Sequence, residues 1–401
     1  MTTTLSMMNR SPQAHDAGDH AAPDLGVLRE RAFNLRWATV DADVIPLTAA
    51  DPDLPVAREV MDAIASYIGS PHLPYGPACG LPSFREAVAS HFGRTKSAPI
   101  APGRVVAANA AASAITLVAQ HLLREGDEVV VQDPVDFLVT ESARRAGADI
   151  RHWKRSNGRF TVDGLRAALT PRTRLVSVCH PHNPTGSLWS PDEVKEIAGV
   201  AAERGVPILS DEVWSDVVLD GAQHASFAAF PRNWVVYGLS KGYGLAGLRI
   251  GAVIAPDEAE ATRFAAERGF EQTIEGASTL SQIAAVAALE LASPWRERFL
   301  EHCACMRDLA ATRLARLPGV CVPALPTATF VLFVDIRATG LAEEEIASRI
   351  ERIARVRVVP GLPRWFGSGA AGHIRLSLAT SHAILDDALG RIERAWPEIT
   401  A

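Results

Sequence analysis

Three stretches decide how this chain reads: Ser177-Val-Cys-His-Pro-His-Asn-Pro-Thr-Gly186, Ser210-Asp-Glu-Val-Trp-Ser-Asp216 and Leu239-Ser-Lys241. Each follows a short apolar run, at 175–179, 206–209 and 234–239. Such runs, bounded by turn formers, read as strands buried on both faces. An amide (Asn183), a carboxylate (Asp211) and an amine (Lys241) therefore stand just past the carboxyl ends of three strands, the rim where ligands gather in open α/β sheets. A single aspartate after a strand is ordinarily a turn former or helix cap. Three chemically different groups on one rim point instead to one ligand.

Outward from these stretches, helical and extended patterns alternate. Helices are expected over 56–68, 84–92, 111–123 and 137–146, with strands over 104–107, 128–131, 150–153 and 249–254. Ser190-Pro-Asp-Glu193 forms a capping box that opens a helix running to Arg204. This rhythm implies right-handed βαβ units, hence an α/β fold with a three-layer, mostly parallel-sheet large domain, expected over 46–287. The rhythm then changes: helix over 277–317, strands at 319–322, 329–334, 356–359 and 373–378, helices at 342–353 and 383–395. A smaller α+β domain is expected over 288–401, with the segment 25–45 packed against it and residues 1–24 a loose polar tail.

At 401 residues the chain exceeds one ordinary core. A net charge of -6 gives no electrostatic reason to expect a nucleic acid. Five cysteines without CxxC spacing argue against a disulfide framework or a zinc ribbon and suit the cytoplasm, and no metal site is expected. No apolar run is long enough for a membrane span.

The three groups match the needs of pyridoxal 5'-phosphate (PLP). A lysine amine can carry the cofactor covalently and then move a Cα proton. A carboxylate beside the pyridine nitrogen favours the protonated ring, which acts as electron sink. An asparagine amide can donate to the phenolate oxygen. Arg249 offers a guanidinium for the phosphate, and the helix start near Ala110 and Ala111 offers unpaired N–H groups. Gly242-Tyr-Gly-Leu-Ala-Gly247 also fits GxGxxG, but it precedes a strand rather than a helix and is read as a decoy.

From about residue 41 to 395 the sequence resembles the fold-type I PLP enzymes of the class I/II aminotransferase superfamily. Asn183-Pro-Thr-Gly186, Asp211-Glu212, Ser240-Lys241, Gly247-Leu-Arg-Ile-Gly251 and Arg375-Leu-Ser377 carry the likeness. The resemblance implies PLP on Lys241, Asp211 at the ring nitrogen, Asn183 at the phenolate oxygen and near the substrate, and Arg249 at the phosphate. It further implies Arg375 at the substrate carboxylate and a homodimer in which Tyr75 reaches the partner's cofactor.

Within that superfamily, Cys179-His-Pro-His-Asn-Pro-Thr-Gly186, the Gly221-Ala-Gln-His224 turn and Ala50-Asp-Pro-Asp53 resemble the cystathionine β-lyase-like C–S lyases. The chain also departs from the family pattern. Trp214 stands where a tyrosine is usual, and Asp136 where an aromatic stacks on the ring, unless Phe137 takes over. Asn109-Ala-Ala-Ala112 lacks a glycine, and Gly238 replaces a serine. His182 and His224 are candidate polar lining of the entrance. The leading expectation is β-elimination from a cysteine S-conjugate or related natural-product intermediate. The alternative is amino transfer to a 2-oxo acid, and the same chemistry also permits decarboxylation or oxidative deamination.

Overall fold

The computed structural model describes residues 22–272 and 275–401. Among the described residues twelve strands follow one another: β1 (Ile45–Pro46), β2 (Val105–Ala108), β3 (Glu128–Asp133), β4 (Asp149–Lys154), β5 (Thr173–Cys179), β6 (Ile208–Asp211), β7 (Trp234–Gly238), β8 (Gly251–Ile254), β9 (Val331–Asp335), β10 (Val356–Arg357), β11 (Val359–Pro360) and β12 (His373–Ser377). Seven form one sheet in the order β2-β8-β7-β6-β5-β3-β4. All neighbours in it are parallel except β8, which runs against both β2 and β7. Every residue of β2, β3, β6, β7 and β8 is buried. Helices covering both faces of a parallel sheet leave no solvated face, which is why these strands read as continuous apolar runs.

The strand order places the site. β5, β6 and β7 are adjacent, so Asn183, Asp211 and Lys241 fall next to one another on the rim where these strands end. The antiparallel β8 enters the sheet at that same rim, with Gly251 opposite Ala108 and Gly238. Arg249, just before β8, therefore lies beside the turn that leads from β2 into the helix Ala111–Leu122.

Several expected boundaries move. Asp211 is the last residue of β6 rather than a residue beyond it. Arg249 precedes its strand in a left-handed conformation, φ 52° and ψ 58°. The expected strand at 319–322 reduces to a single bridge, Cys321 to Asp335. The run 356–359 splits: β10 pairs with β1, and β11 with β12. A two-residue strand pairing with each neighbour leaves no periodicity to read. The helix Val162–Ala168 was not anticipated; its cap, the Thr161 side chain accepting from Gly164 N–H, is the signal that was available.

Two hydrophobic clusters organise the chain, one about the seven-stranded sheet and one formed by Trp37, Ile45 and Leu47 with residues from Met306 onward. The 22-residue helix Ser293–Leu314 begins in the first, with Trp295 and Phe299, and ends in the second, with Ala310 and Leu314. Residues 1–21 of the expected tail lie outside the described residues. Asp24 is not tail: its carboxylate accepts from Val27 N–H and caps the helix Leu25–Arg31.

Candidate active site

A cavity of about 780 Å³ opens where the rim meets β12 and the N-terminal segment. Lys241, Asp211, Asn183, Arg249, Ala110, Ala111, Trp214, Phe137 and Arg375 all line it. Of the four lysines in the chain, Lys96, Lys154, Lys195 and Lys241, only the last does so. Lys96 is spent inside the protein, bonded to Asp216 at 2.6 Å.

Lys241 donates from Nζ to the carbonyl of Ala50 at 2.5 Å, and the same nitrogen lies 5.6 Å from the centre of the Trp214 ring. Burial pulls its pKa down, while Asp51, Asp136 and Asp211 oppose that fall. Asp211 is buried and accepts a hydrogen bond from Val213 N–H at 3.1 Å. With no cation bonded to it, burial raises its carboxyl to about 7. Trp214 is 1% exposed and packs edge-on against Phe330, 4.8 Å between centres, so it forms a wall behind the lysine.

On the far side three residues form a relay. Arg375 donates from Nη1 to Asn183 Oδ1 at 3.1 Å and from Nη2 to the Thr48 carbonyl at 3.0 Å. Asn183 in turn donates from Nδ2 to Asp136 Oδ2 at 2.8 Å. The other oxygen of Asp136 caps the helix Phe137–Arg145 by accepting from Leu138 N–H. The asparagine amide is thereby fixed in orientation, with one N–H left to face the cavity. Nε of Arg375 is buried without a partner, and burial brings the guanidinium down to about 10. A buried cation with a free donor is a receptor for an anionic group.

The remaining wall is built for close approach. Ala110 holds φ 77° and ψ 154°, a region that only glycine adopts without strain, and the turn aims the first N–H groups of the helix Ala111–Leu122 at the cavity. A Cβ on Gly251 would come within 2.8 Å of Ala111 N, and one on Gly238 within 3.2 Å of Ala111 Cβ. Gly251 is thus required for the helix to sit against the rim, and Gly238 keeps the same contact uncrowded. Arg249 extends over this corner from the solvent side.

Three other residues stand elsewhere. Tyr75 is 92% exposed and lines a separate cleft with Leu73 and Phe270. His182 and His224 are buried and do not line the cavity. His182 donates from Nε2 to the Pro134 carbonyl and accepts on Nδ1 from Thr185, and burial drops its pKa to about 3. His224 stacks on His180, 4.7 Å between centres. Their role is packing beneath the loop that carries Asn183. Residues missed from the sequence are Phe33, Leu35 and Trp365, all on the cavity wall; Asp51, also on it, was marked there only within the Ala50-Asp-Pro-Asp53 resemblance. Phe33 and Leu35 are exposed apolar residues on an irregular segment, where no periodicity marks them.

This donor set fits PLP. Asp211 lacks the cation that a protonated pyridine supplies, Arg375 Nε is an orphaned donor, and the Ala110 turn is a cradle at a helix N-terminus. Comparison with known proteins agrees. The family model described as Aminotransferase class I and II matches residues 42–392. An aspartate aminotransferase of Geobacillus stearothermophilus is 31% identical over 387 residues, covering 92% of this chain and 94% of the relative. Cystathionine beta-lyase PatB of Bacillus subtilis is 27% identical, covering 88% and 92%. Among solved structures, cystalysin from Treponema denticola, which contains a pyridoxal 5'-phosphate cofactor, superposes with a TM-score of 0.85 over 96% of this chain and 100% of its own. At 18% identity that likeness speaks for the fold alone.

Proposed function

This chain belongs to the class I and II aminotransferase family and is a PLP-dependent enzyme, and we propose that it performs β-elimination on an amino acid whose Cβ carries an uncharged thioether substituent. The overall reaction converts a cysteine S-conjugate and water into a thiol, ammonia and pyruvate.

The observation that carries this reading is the apolar part of the cavity wall. Beyond Arg375, which suits the α-carboxylate, and Lys241, Asp211 and Arg249, which suit the cofactor, the wall presents Asp51, Asp136 and Arg31 and the apolar side chains of Phe33, Leu35, Phe137 and Trp365. A second substrate carboxylate, such as that of aspartate, would lose hydration against this apolar surface beside Asp51 and Asp136; a neutral apolar substituent would bury there without that cost. The CysHisProHisAsnProThrGly stretch and the similarity to PatB point the same way.

When bound, PLP supplies the electron sink that makes the Cα proton labile. Asp211 would hold a proton at the pyridine nitrogen, Asn183 would donate to the phenolate oxygen, and Arg249 with the Ala110–Ala111 turn would receive the phosphate. Arg375 fixes the substrate carboxylate. Lys241 would carry the cofactor and, once the substrate's amine has displaced its own, take the Cα proton on Nζ and return it to the departing sulfur. Trp214 excludes water behind the lysine. Tyr75, exposed on one copy, completes the site of a second copy in a homodimer.

Amino transfer is the second reading, favoured by the 31% identity to an aspartate aminotransferase. S-benzyl-L-cysteine without any 2-oxo acid separates the two: elimination releases benzyl thiol and pyruvate in equal amounts. Turnover that requires a 2-oxo acid and retains the sulfur in the product would reject elimination.

A further inference from the structure

The Ala50-Asp-Pro-Asp53 stretch sets two carboxylates two residues apart, and the structure gives them opposite fates. Asp53 is a structural anchor. Its Oδ1 accepts from Arg36 Nη2 at 2.5 Å and from Trp37 Nε1 at 2.8 Å, and its N–H donates to the Ala379 carbonyl. Arg36, 2% exposed, also holds the carbonyls of Pro46 and Ala49. The loop is therefore pinned on both sides of Asp51. The backbone of Asp51 turns back to Ala49, and its carboxylate lines the cavity of Lys241. Among the described residues that carboxylate accepts no hydrogen bond. The neighbouring Ala50 carbonyl grips Nζ of Lys241 at 2.5 Å.

Asp51 is half-buried, and a partly desolvated carboxylate without a donor is costly unless a charge or ligand answers it. We propose that Asp51 is the counter-ion of Lys241, a positioning residue that stabilises the ammonium formed when the amine takes the Cα proton and so sets the pH range over which the lysine cycles between base and acid. In that step the Cα–H bond breaks and an N–H bond forms on Nζ; Asp51 stays ionised and faces the ammonium across the cavity, and no proton leaves the pair.

The charged groups that face Lys241 are the carboxylates of Asp51, Asp136 and Asp211 and the guanidinium of Arg375, with the Trp214 ring on its flank. Among these Asp51 contributes most to keeping the amine protonated, and Asp51 itself is held above the usual carboxylate range by burial. Asp136 and Asp211 are each engaged by hydrogen bonds; Asp51 is free to respond. The inference rests on Lys241 being the acid–base residue, and not on whether the reaction is elimination or transfer.

The test uses PLP-loaded enzyme, Asp51→Asn and Asp51→Glu, with two readouts. One is the pH midpoint of the visible absorbance of the lysine-linked cofactor. The other is the rate at which L-alanine, which has no group to lose from Cβ, exchanges its Cα proton for deuterium in D₂O. Asp51→Asn is expected to lower the midpoint by about one unit and to slow exchange about tenfold, with Asp51→Glu restoring both to within about threefold. An unchanged midpoint and exchange rate in Asp51→Asn would overturn the proposal. So would equal damage in both variants, or failure of both to fold, because packing rather than charge would then explain Asp51. Absence of exchange in the wild type with cofactor bound would instead strike at Lys241 as the acid–base residue.

Discussion

Arg375 reaches Asn183 across 192 residues of sequence, Nη1 to Oδ1 at 3.1 Å. One partner lies on β12 and the other on the loop after β5, so the carboxylate receptor exists only when the two sheets are packed. The planar fork matters, because Nη1 and Nη2 are bonded to Asn183 and Thr48 at the same time and hold the guanidinium in one orientation on the cavity wall. Arg375→Lys keeps the charge and loses the fork. We expect KM for an α-amino acid to rise about tenfold to a hundredfold, equivalent to about 1.5–3 kcal/mol, with kcat changing less. Steady-state kinetics on S-benzyl-L-cysteine checks this.

Asp211 makes the apo-protein sensitive to pH. Burial raises its carboxyl to about 7, so between about pH 4 and 7 the folded chain retains a proton that the unfolded chain has released. Stability attributable to this group therefore falls as pH rises through that window. Asp211→Asn removes the burden: its apo form is expected to melt several degrees above wild type at pH 8, to match it near pH 3, and to have lost activity with PLP. Thermal melts of the two apo-proteins at both pH values decide.

The fold and most of the site were legible because both rest on strong local signals. Parallel strands buried on both faces give unbroken apolar runs, and the Ser190 box gives a helix start, observed with both reciprocal hydrogen bonds. Asn183, Asp211 and Lys241 could be placed on one rim because each closes such a run. Phe33 and Leu35 could not, since an irregular segment carries no period, and for the same reason the resemblance of Ala50-Asp-Pro-Asp53 did not say which of its two carboxylates faces the cavity. His182 and His224 misled for a related reason: their proximity to Asn183 and Asp211 in sequence said nothing about which face of the loop they occupy. They turned out to be packed beneath it.

Ala110 stores strain at the cofactor cradle, since its φ of 77° with ψ of 154° costs about 1–3 kcal/mol in a residue with a Cβ. Ala110→Gly is expected to stabilise the protein by about 1 kcal/mol after the entropic cost of glycine, with PLP affinity unchanged or improved. A lower melting temperature in this variant would show that the turn is not strained.

Trp214 is a buried wall rather than a surface aromatic, 1% exposed and packed on Phe330. Trp214→Ala is expected to cost about 3–5 kcal/mol in denaturant unfolding. Trp214→Phe, which preserves the edge contact, is expected to lose far less and to retain the bound cofactor.

The account depends on Lys241 carrying PLP, and the chain has only four lysines among which to choose. Borohydride reduction of the loaded enzyme followed by peptide mapping is the most direct measurement. A phosphopyridoxyl mass increase confined to the peptide containing Lys241, and absent in Lys241→Ala, is the predicted result. Labelling of Lys96, Lys154 or Lys195 instead, or a loaded protein in which no lysine is labelled, would contradict it.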